Sequence, residues 1–180
     1  MTFPSPEFAT YYEPRWPAVV ELNLSDEWRA RWVDEQELPA GAPVDYAYVI
    51  VWMGDFGYLT RPAGEPVWRT VEGAPGAGEK PLAFAKRAAR EQAGATGQLE
   101  LVGFFECKAT SHNPSFSPGT VRVRPLYFLV AKQVKDLGRE SPFERRRLPI
   151  NEHMKALRNR YPEFETYLGK AAGLYAVLRK

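Results

Sequence analysis

The chain has 180 residues, of which 44% are hydrophobic and 26% charged, as is usual for a globular domain with a sizeable core. Its formal net charge of +2 gives no case for general nucleic-acid binding, and its single cysteine, Cys107, excludes an internal disulfide and a cysteine metal cluster. No apolar segment approaches the roughly 20 residues of a membrane span and no secretory signal is visible, so we expect a cytoplasmic protein without membrane contact.

Residues 1–18 combine prolines with aromatic side chains. Proline discourages regular structure, whereas disordered tails are usually poor in aromatic residues. We therefore expect an arm that packs on the rest of the domain or on a partner chain, where it would support a homodimer. A short strand is predicted over residues 19–24.

A helix is predicted next. Ser25 and Asp26 are residue types that favour a helix N-cap, and Trp28 and Trp32 recur at helical spacing. Residues 1–43 would then be an N-terminal arm and helix packed on the domain that the remaining residues form.

Strand and turn signals follow. Residues 45–52 are rich in aromatic and β-branched side chains, and their apolar run is too short for a helix, so a strand is predicted. Residues 54–57 are typical of a hairpin turn, and residues 58–61 form the predicted return strand. Residues 67–71 lead into a glycine-rich loop.

That loop runs directly into a predicted helix. Three glycines let its backbone turn where side chains would clash: Gly73, Gly76 and Gly78. Residues 82–93 contain no Pro, Gly or β-branched residue, Pro81 suits the first helical turn, and Gly94 suits the end of the helix. A loop that feeds a helix N-terminus favours anions because free backbone N–H groups point outward there.

Residues 73–95 resemble a Nudix box, whose pattern is G-x5-E-x7-R-E-U-x-E-E-x-G-U, where U is a bulky apolar residue. Five positions match it without a gap: Gly73, Glu79, Arg87, Glu91 and Gly94. The resemblance implies an α/β fold over residues 44–180. This is a Nudix-like α/β/α sandwich with a mixed β-sheet, the loop-helix box and a C-terminal helix.

The box is degenerate at the positions that bind metal in the family. Its three helix glutamates correspond here to Ala88, Glu91 and Gln92, and the glycine that usually precedes the box is Glu72. One carboxylate and an amide make a poor Mg²⁺ site, because glutamine brings no charge to offset the dehydration of the ion. A rival register that starts the Arg-Glu pair at Arg90 needs three extra residues and leaves the site equally incomplete.

Two further strands are predicted after the box helix, over residues 99–107 and 120–132, separated by a long polar loop. Pro125, within the second of them, indicates a bulge or a sheet edge. Residues 136–147 are predicted to be a charged connection.

Two helices are predicted to close the chain. Asn151 is expected to cap a helix that runs to Arg160, and Pro162 is expected to open an amphipathic C-terminal helix. The apolar face of this last helix would pack on the sheet.

The resemblance, together with the polar residues predicted around the box, gives a set of candidate site residues. The candidate catalytic residues are Glu91, Glu79 and Arg87, with Glu79 expected to pair with a helix arginine and hold the loop. The candidate substrate contacts are Gly73, Trp68, Arg124 and His112. The candidate ligands for Mg²⁺ or Mn²⁺ are Glu91, Glu72 and Glu106. Ordinary alternatives stay open for several of them. Glu91 would form a surface ion pair with Arg87, Glu79 would be favoured by the helix dipole, and His112 and Arg124 would be solvated.

Two functions remain open from the sequence. The first is a divalent-metal-dependent hydrolase of nucleoside diphosphate derivatives with a weakened metal site. In such an enzyme a metal-bound water attacks phosphorus. The second is a catalytically inactive Nudix-like module that binds a nucleotide or a protein partner.

Overall fold

The computed structural model describes residues 28–110, 117–161 and 165–180. The predicted arm and its homodimer contact, the strand at 19–24, the proposed cap at Ser25 and Asp26, and His112 lie outside these ranges. None of the described helices is long and apolar enough to cross a membrane.

Seven strands and three helices make up the described part of the chain. The strands are β1 (Trp28–Val33), β2 (Ala47–Met53), β3 (Phe56–Pro62), β4 (Val71–Gly73), β5 (Ala95–Ala109), β6 (Val121–Val134) and β7 (Phe143–Pro149). The helices are α1 (Pro81–Ala93), α2 (Ile150–Arg160) and α3 (Glu165–Leu178). The sheet order is β1-β5-β6-β2-β3-β7, with β4 also paired to β2. The β2–β6 pair is parallel and the other pairs are antiparallel, so the sheet is mixed.

Strand β2 separates two cores because successive side chains of a strand point to opposite faces. Ile50 and Trp52 belong to a cluster that also contains buried residues of α2 and α3. Val49 and Val51 belong to a second cluster that contains the buried face of α1. Helices therefore cover both faces of the sheet, which confirms the predicted α/β/α sandwich.

The box helix and the central strands agree with prediction. Helix α1 has proline in its first turn and ends at Gly94, whose φ of 66° is left-handed. A Cβ at Gly94 would lie 2.1 Å from the carbonyl oxygen of Lys135, so only glycine fits there. Pro125 lies in β6 between β5 and β2, beside a register shift at Leu101/Gly103 of β5. It therefore marks a bulge and not a sheet edge.

The helix predicted around Trp28 and Trp32 is wrong. These residues belong to β1, which pairs with β5 from Trp28↔Ala109 to Val33↔Phe104. A spacing of four residues fits one face of a helix, but it is also twice the strand repeat of two. Trp32 stacks on Tyr167 of α3, with 3.6 Å between ring centroids, and Ala30, two positions earlier on the same face of the strand, is buried.

The charged connection predicted at residues 136–147 is also wrong in its second half. Strand β7 begins at Phe143 and, among the strands that the structure describes, pairs only with β3. Edge strands carry charged side chains readily, so the run of arginines concealed the strand. Asn151 is not a cap either, because α2 begins at Ile150 after Pro149, without a side-chain cap.

A buried histidine ties α2 to the sheet. His153 is fully buried, and its Nδ1 accepts a hydrogen bond of 2.9 Å from the indole N–H of Trp52. Since indole only donates, Nε2 carries the proton and donates to the carbonyl of Tyr58 at 3.1 Å. Burial lowers the pKa of His153 to about 4, against a smaller opposite effect of the Tyr58 hydrogen bond. The folded protein therefore holds this imidazole neutral.

We predict that this histidine makes the fold sensitive to acid. Between pH 6.5 and about 4 the unfolded chain binds a proton that the folded chain does not, so stability falls as the pH falls through this window. His153→Gln removes the titration and should abolish up to about 3 kcal/mol of the pH-dependent loss. Urea unfolding of the wild type and of His153→Gln from pH 4 to 7 measures the free energy of unfolding. If this free energy changes equally with pH in the two proteins, the assignment is contradicted.

Candidate functional site

Glu79 fastens the glycine loop to α1. Its carboxylate accepts two hydrogen bonds of 2.8 Å from Arg87 Nε and Nη2, and one of 2.9 Å from the backbone N–H of Gly76. The Arg87 hydrogen bonds, followed by that of Gly76, lower the pKa of Glu79 to about 2. Arg87 also donates to Glu91 at 3.0 Å. The predicted pairing of Glu79 with a helix arginine is therefore confirmed.

Gln92 joins α1 to β4 through its side-chain amide. Its Nε2 donates to the backbone carbonyl of Glu72 at 2.8 Å, and its Oε1 accepts from the Glu72 N–H at 3.2 Å. The hydroxyl of Thr60 lies 3.4 Å from the same oxygen. A carboxylate accepts but cannot donate, so only an amide makes both backbone hydrogen bonds.

Ala88 faces the core. It is 1% exposed and belongs to the cluster between α1 and the sheet, together with Ala85 and Ala89. These small side chains let the helix axis lie close to the strands. At the position where the family box has its first glutamate, this chain therefore has a small side chain that packs in the core.

The buried carboxylate of Glu72 is hydrogen-bonded to Tyr161, the residue that directly follows α2. Tyr161 donates its hydroxyl proton to Glu72 Oε2 at 2.9 Å, and Arg69 Nε lies 3.9 Å from Glu72 Oε1. Glu72 is 7% exposed and Tyr161 is fully buried. Burial, followed by the charge of Glu72, raises the pKa of Tyr161, so its hydroxyl keeps its proton.

These elements enclose a cleft of about 340 Å³ between α1, β3 and β4. The cleft brings together four predicted site residues: Glu72, Gly73, Arg87 and Glu91. It adds residues that were not predicted: Arg61 and Arg69, the aromatic rings of Tyr46, Phe84 and Phe143, and Thr60. Three arginines thus face two carboxylates in one recess.

The remaining predicted site residues do not line this cleft. Trp68 lines a neighbouring cavity. Arg124 is 1% exposed and makes two hydrogen bonds of 3.1 Å to Asp45. Glu106 pairs with Arg31 at 2.9 Å, across the β1–β5 ladder. The cleft therefore offers Glu72 and Glu91 as its carboxylates, without Glu106.

The donors in the cleft do not fit the metal site of the family. In the described ranges no group of three or more His, Cys, Asp or Glu side chains converges to hold a metal ion. Glu91 is half exposed and paired with Arg87, Gln92 is engaged with the β4 backbone, and Ala88 has no ligand atom. Mg²⁺ and Mn²⁺ favour several oxygen ligands, usually with carboxylates among them.

Sequence reasoning missed the residues that reach the cleft from distant parts of the chain. Tyr161 meets Glu72 across 89 positions, and no local pattern connects them. Arg61 and Phe143 come together because β3 pairs with β7. One signal was present in the sequence. Residue 92 is a glutamine, whose side-chain amide can both donate and accept hydrogen bonds.

This architecture is similar to that of solved structures. A mutant of the Bacillus subtilis pyrophosphohydrolase BsRppH is 16% identical, with a TM-score of 0.52 over 67% of this chain and 72% of that one. A MutT structure described for Aliivibrio salmonicida and Vibrio cholerae is 14% identical, with a TM-score of 0.48 over 71% and 98%. No protein-family model and no curated protein matches the sequence. The chain has a Nudix-like fold.

We predict that restoring glutamates to α1 destabilises the protein. Gln92→Glu removes the donor to the Glu72 carbonyl and should cost about 3 kcal/mol, and Ala88→Glu buries a charge and should cost about 4 kcal/mol or prevent folding. Ala83→Glu, on the exposed face of the same helix, should change stability by less than about 0.5 kcal/mol. Urea unfolding measures all three. Wild-type stability of the first two variants would contradict this account of the helix.

Proposed function

We propose that the chain binds a nucleoside diphosphate derivative in the cleft and does not hydrolyse it by the metal-glutamate route of Nudix hydrolases. The observation that carries the proposal is the engagement of Gln92 with the Glu72 backbone, where the family has a metal-binding glutamate. The burial of Ala88 supports it, because a second ligand position of the degenerate box is closed by packing.

The cleft suits a ligand that combines phosphates with a ring. Its volume of about 340 Å³ lies within the range of small-molecule sites. Arg61, Arg69 and Arg87 provide planar donors that match phosphate oxygens, and the loop that follows Gly73 leads into the N-terminus of α1. Tyr46 and Phe84 provide aromatic surface. The arginines would hold the diphosphate, and the rings would contact the nucleoside.

A pyrophosphohydrolase is the second candidate, and one observation favours it. Glu72 and Glu91 line the same cleft, so two carboxylates approach the region where phosphates would lie. A hydrolase of this type would depend on Mg²⁺ or Mn²⁺, and its metal site would be weakened by the substitutions at Ala88 and Gln92. A cytoplasmic location and a homodimer through the N-terminal arm stay predictions under either candidate.

We expect ADP to bind in the presence of EDTA. Isothermal titration calorimetry should give a dissociation constant that Arg61→Met raises about tenfold, because methionine keeps an apolar stem and loses the charged donors. Arg158→Met removes an exposed arginine of α2 and should leave the constant unchanged. Equal affinity for the wild type and Arg61→Met would contradict the placement of the ligand.

Hydrolysis is tested separately with ADP-ribose in the presence of Mg²⁺ or Mn²⁺, followed by ³¹P NMR. We expect no release of AMP. Turnover that is lost in both Glu91→Gln and Glu72→Gln would establish the second candidate instead. Turnover that survives both substitutions would show that neither carboxylate serves the reaction.

A further inference from the structure

A second and larger cavity adjoins the cleft. Its volume is about 700 Å³, and it lies between the end of β3, strand β7 and the segment 136–141. Arg61 and Phe143 line both cavities, so the two recesses meet at these side chains. A ligand too long for the cleft would therefore continue past Arg61 into this groove.

The groove contains a flat surface held in place by an ion pair. The guanidinium carbon of Arg61 lies 4.3 Å from the ring centroid of Trp68, and its Nε donates to Glu144 Oε2 at 2.5 Å. Glu144 thus fixes the plane of the guanidinium against the indole. Arginine and aromatic planes of this kind stack on nucleobases with little preference for one base. Phe143 adds a further ring to the same wall.

The junction between the two cavities carries one guanidinium, that of Arg61, which is paired with Glu144 on the β7 side. Arg61 stands at the junction, so the part of a ligand that links its two halves would pass a fixed cation. Two further arginines line the larger cavity. Arg139 lies in the segment 136–141. Arg145 of β7 donates to the backbone carbonyls of Ala93 and Lys135 at 2.6 and 2.7 Å, which gives it a structural role. A planar group on each side of an anionic linker is the ligand shape that these features match.

We infer that the groove at Trp68 is a second subsite, which takes a second planar aromatic group linked through the diphosphate to the nucleoside in the cleft. The inference rests on the proposed function and extends it from a nucleoside diphosphate to a two-part ligand. Trp68 is a specificity residue of this subsite, and Glu144 is a positioning residue that acts through Arg61. The predicted substrate contact of Trp68 thus belongs to the second half of the ligand.

The test compares two probes by calorimetry in EDTA: ADP, and diadenosine diphosphate, in which a second adenosine is joined to the same diphosphate. The dinucleotide should bind about tenfold more tightly than ADP, the gain expected of one stacked base. Trp68→Ala should bring the ratio of the two affinities close to one, and Trp68→Phe should retain most of it. Glu144→Gln should lower the ratio, whereas Glu140→Gln, an exposed neighbour, should not.

The outcomes separate the two proposals. Failure of both probes to bind would overturn the proposed function and the inference with it. Binding of both probes with equal affinity would overturn the inference alone. A ratio near ten that survives in Trp68→Ala, or in Glu144→Gln if the alanine variant does not fold, would also overturn it. Unfolding temperatures of the variants exclude a loss of fold as the cause of a changed ratio.

Discussion

The amide of Gln92 is the constraint on which the site depends. It joins α1 to the backbone of β4 with a donor and an acceptor at once, and Thr60 of β3 approaches the same oxygen. These hydrogen bonds therefore fix the spacing between α1, β4 and β3. Arg87 and Glu91 face outward at the rim because Gln92 faces inward. The shape of the cleft and the absence of a third carboxylate therefore have one physical cause.

Close packing of α1 follows from the same arrangement. Ala85, Ala88 and Ala89 bring the helix near the sheet, and Glu79 with Arg87 closes the glycine loop over its beginning. A glutamate at position 88 would need either more space or a route out of the core, and the helix provides neither. The two departures from the family box are thus parts of one rigid joint, which holds the loop and the arginines in position.

Local signals predicted the parts of this joint that lie within one stretch of the chain. Proline marked the start of α1 and glycine its end, and the resemblance to the family box implied the pairing of Glu79 with an arginine of the helix. The same reasoning mistook β1 for a helix, because a spacing of four residues satisfies both periodicities. It missed β7, because an edge strand tolerates three consecutive arginines. It also missed Tyr161, because its contact with Glu72 spans 89 positions and produces no recognisable pattern in the sequence around either residue.

Strand β7 shows why such an omission matters for function. Among the described strands it pairs only with β3, so fewer packing demands act on its sequence than on those of β2 and β6. Its first two residues nevertheless decide the surroundings of Arg61: Phe143 lines both cavities, and Glu144 holds the guanidinium on Trp68. Under the proposed function, the phosphates would meet the joint of α1, β3 and β4, whereas the second planar group would meet side chains that the edge strand β7 holds in place. For the proposed two-part ligand, a change at Glu144 would therefore act on the second ring through Arg61, whereas Arg145, which is bound to the backbone at the end of α1, serves the fold.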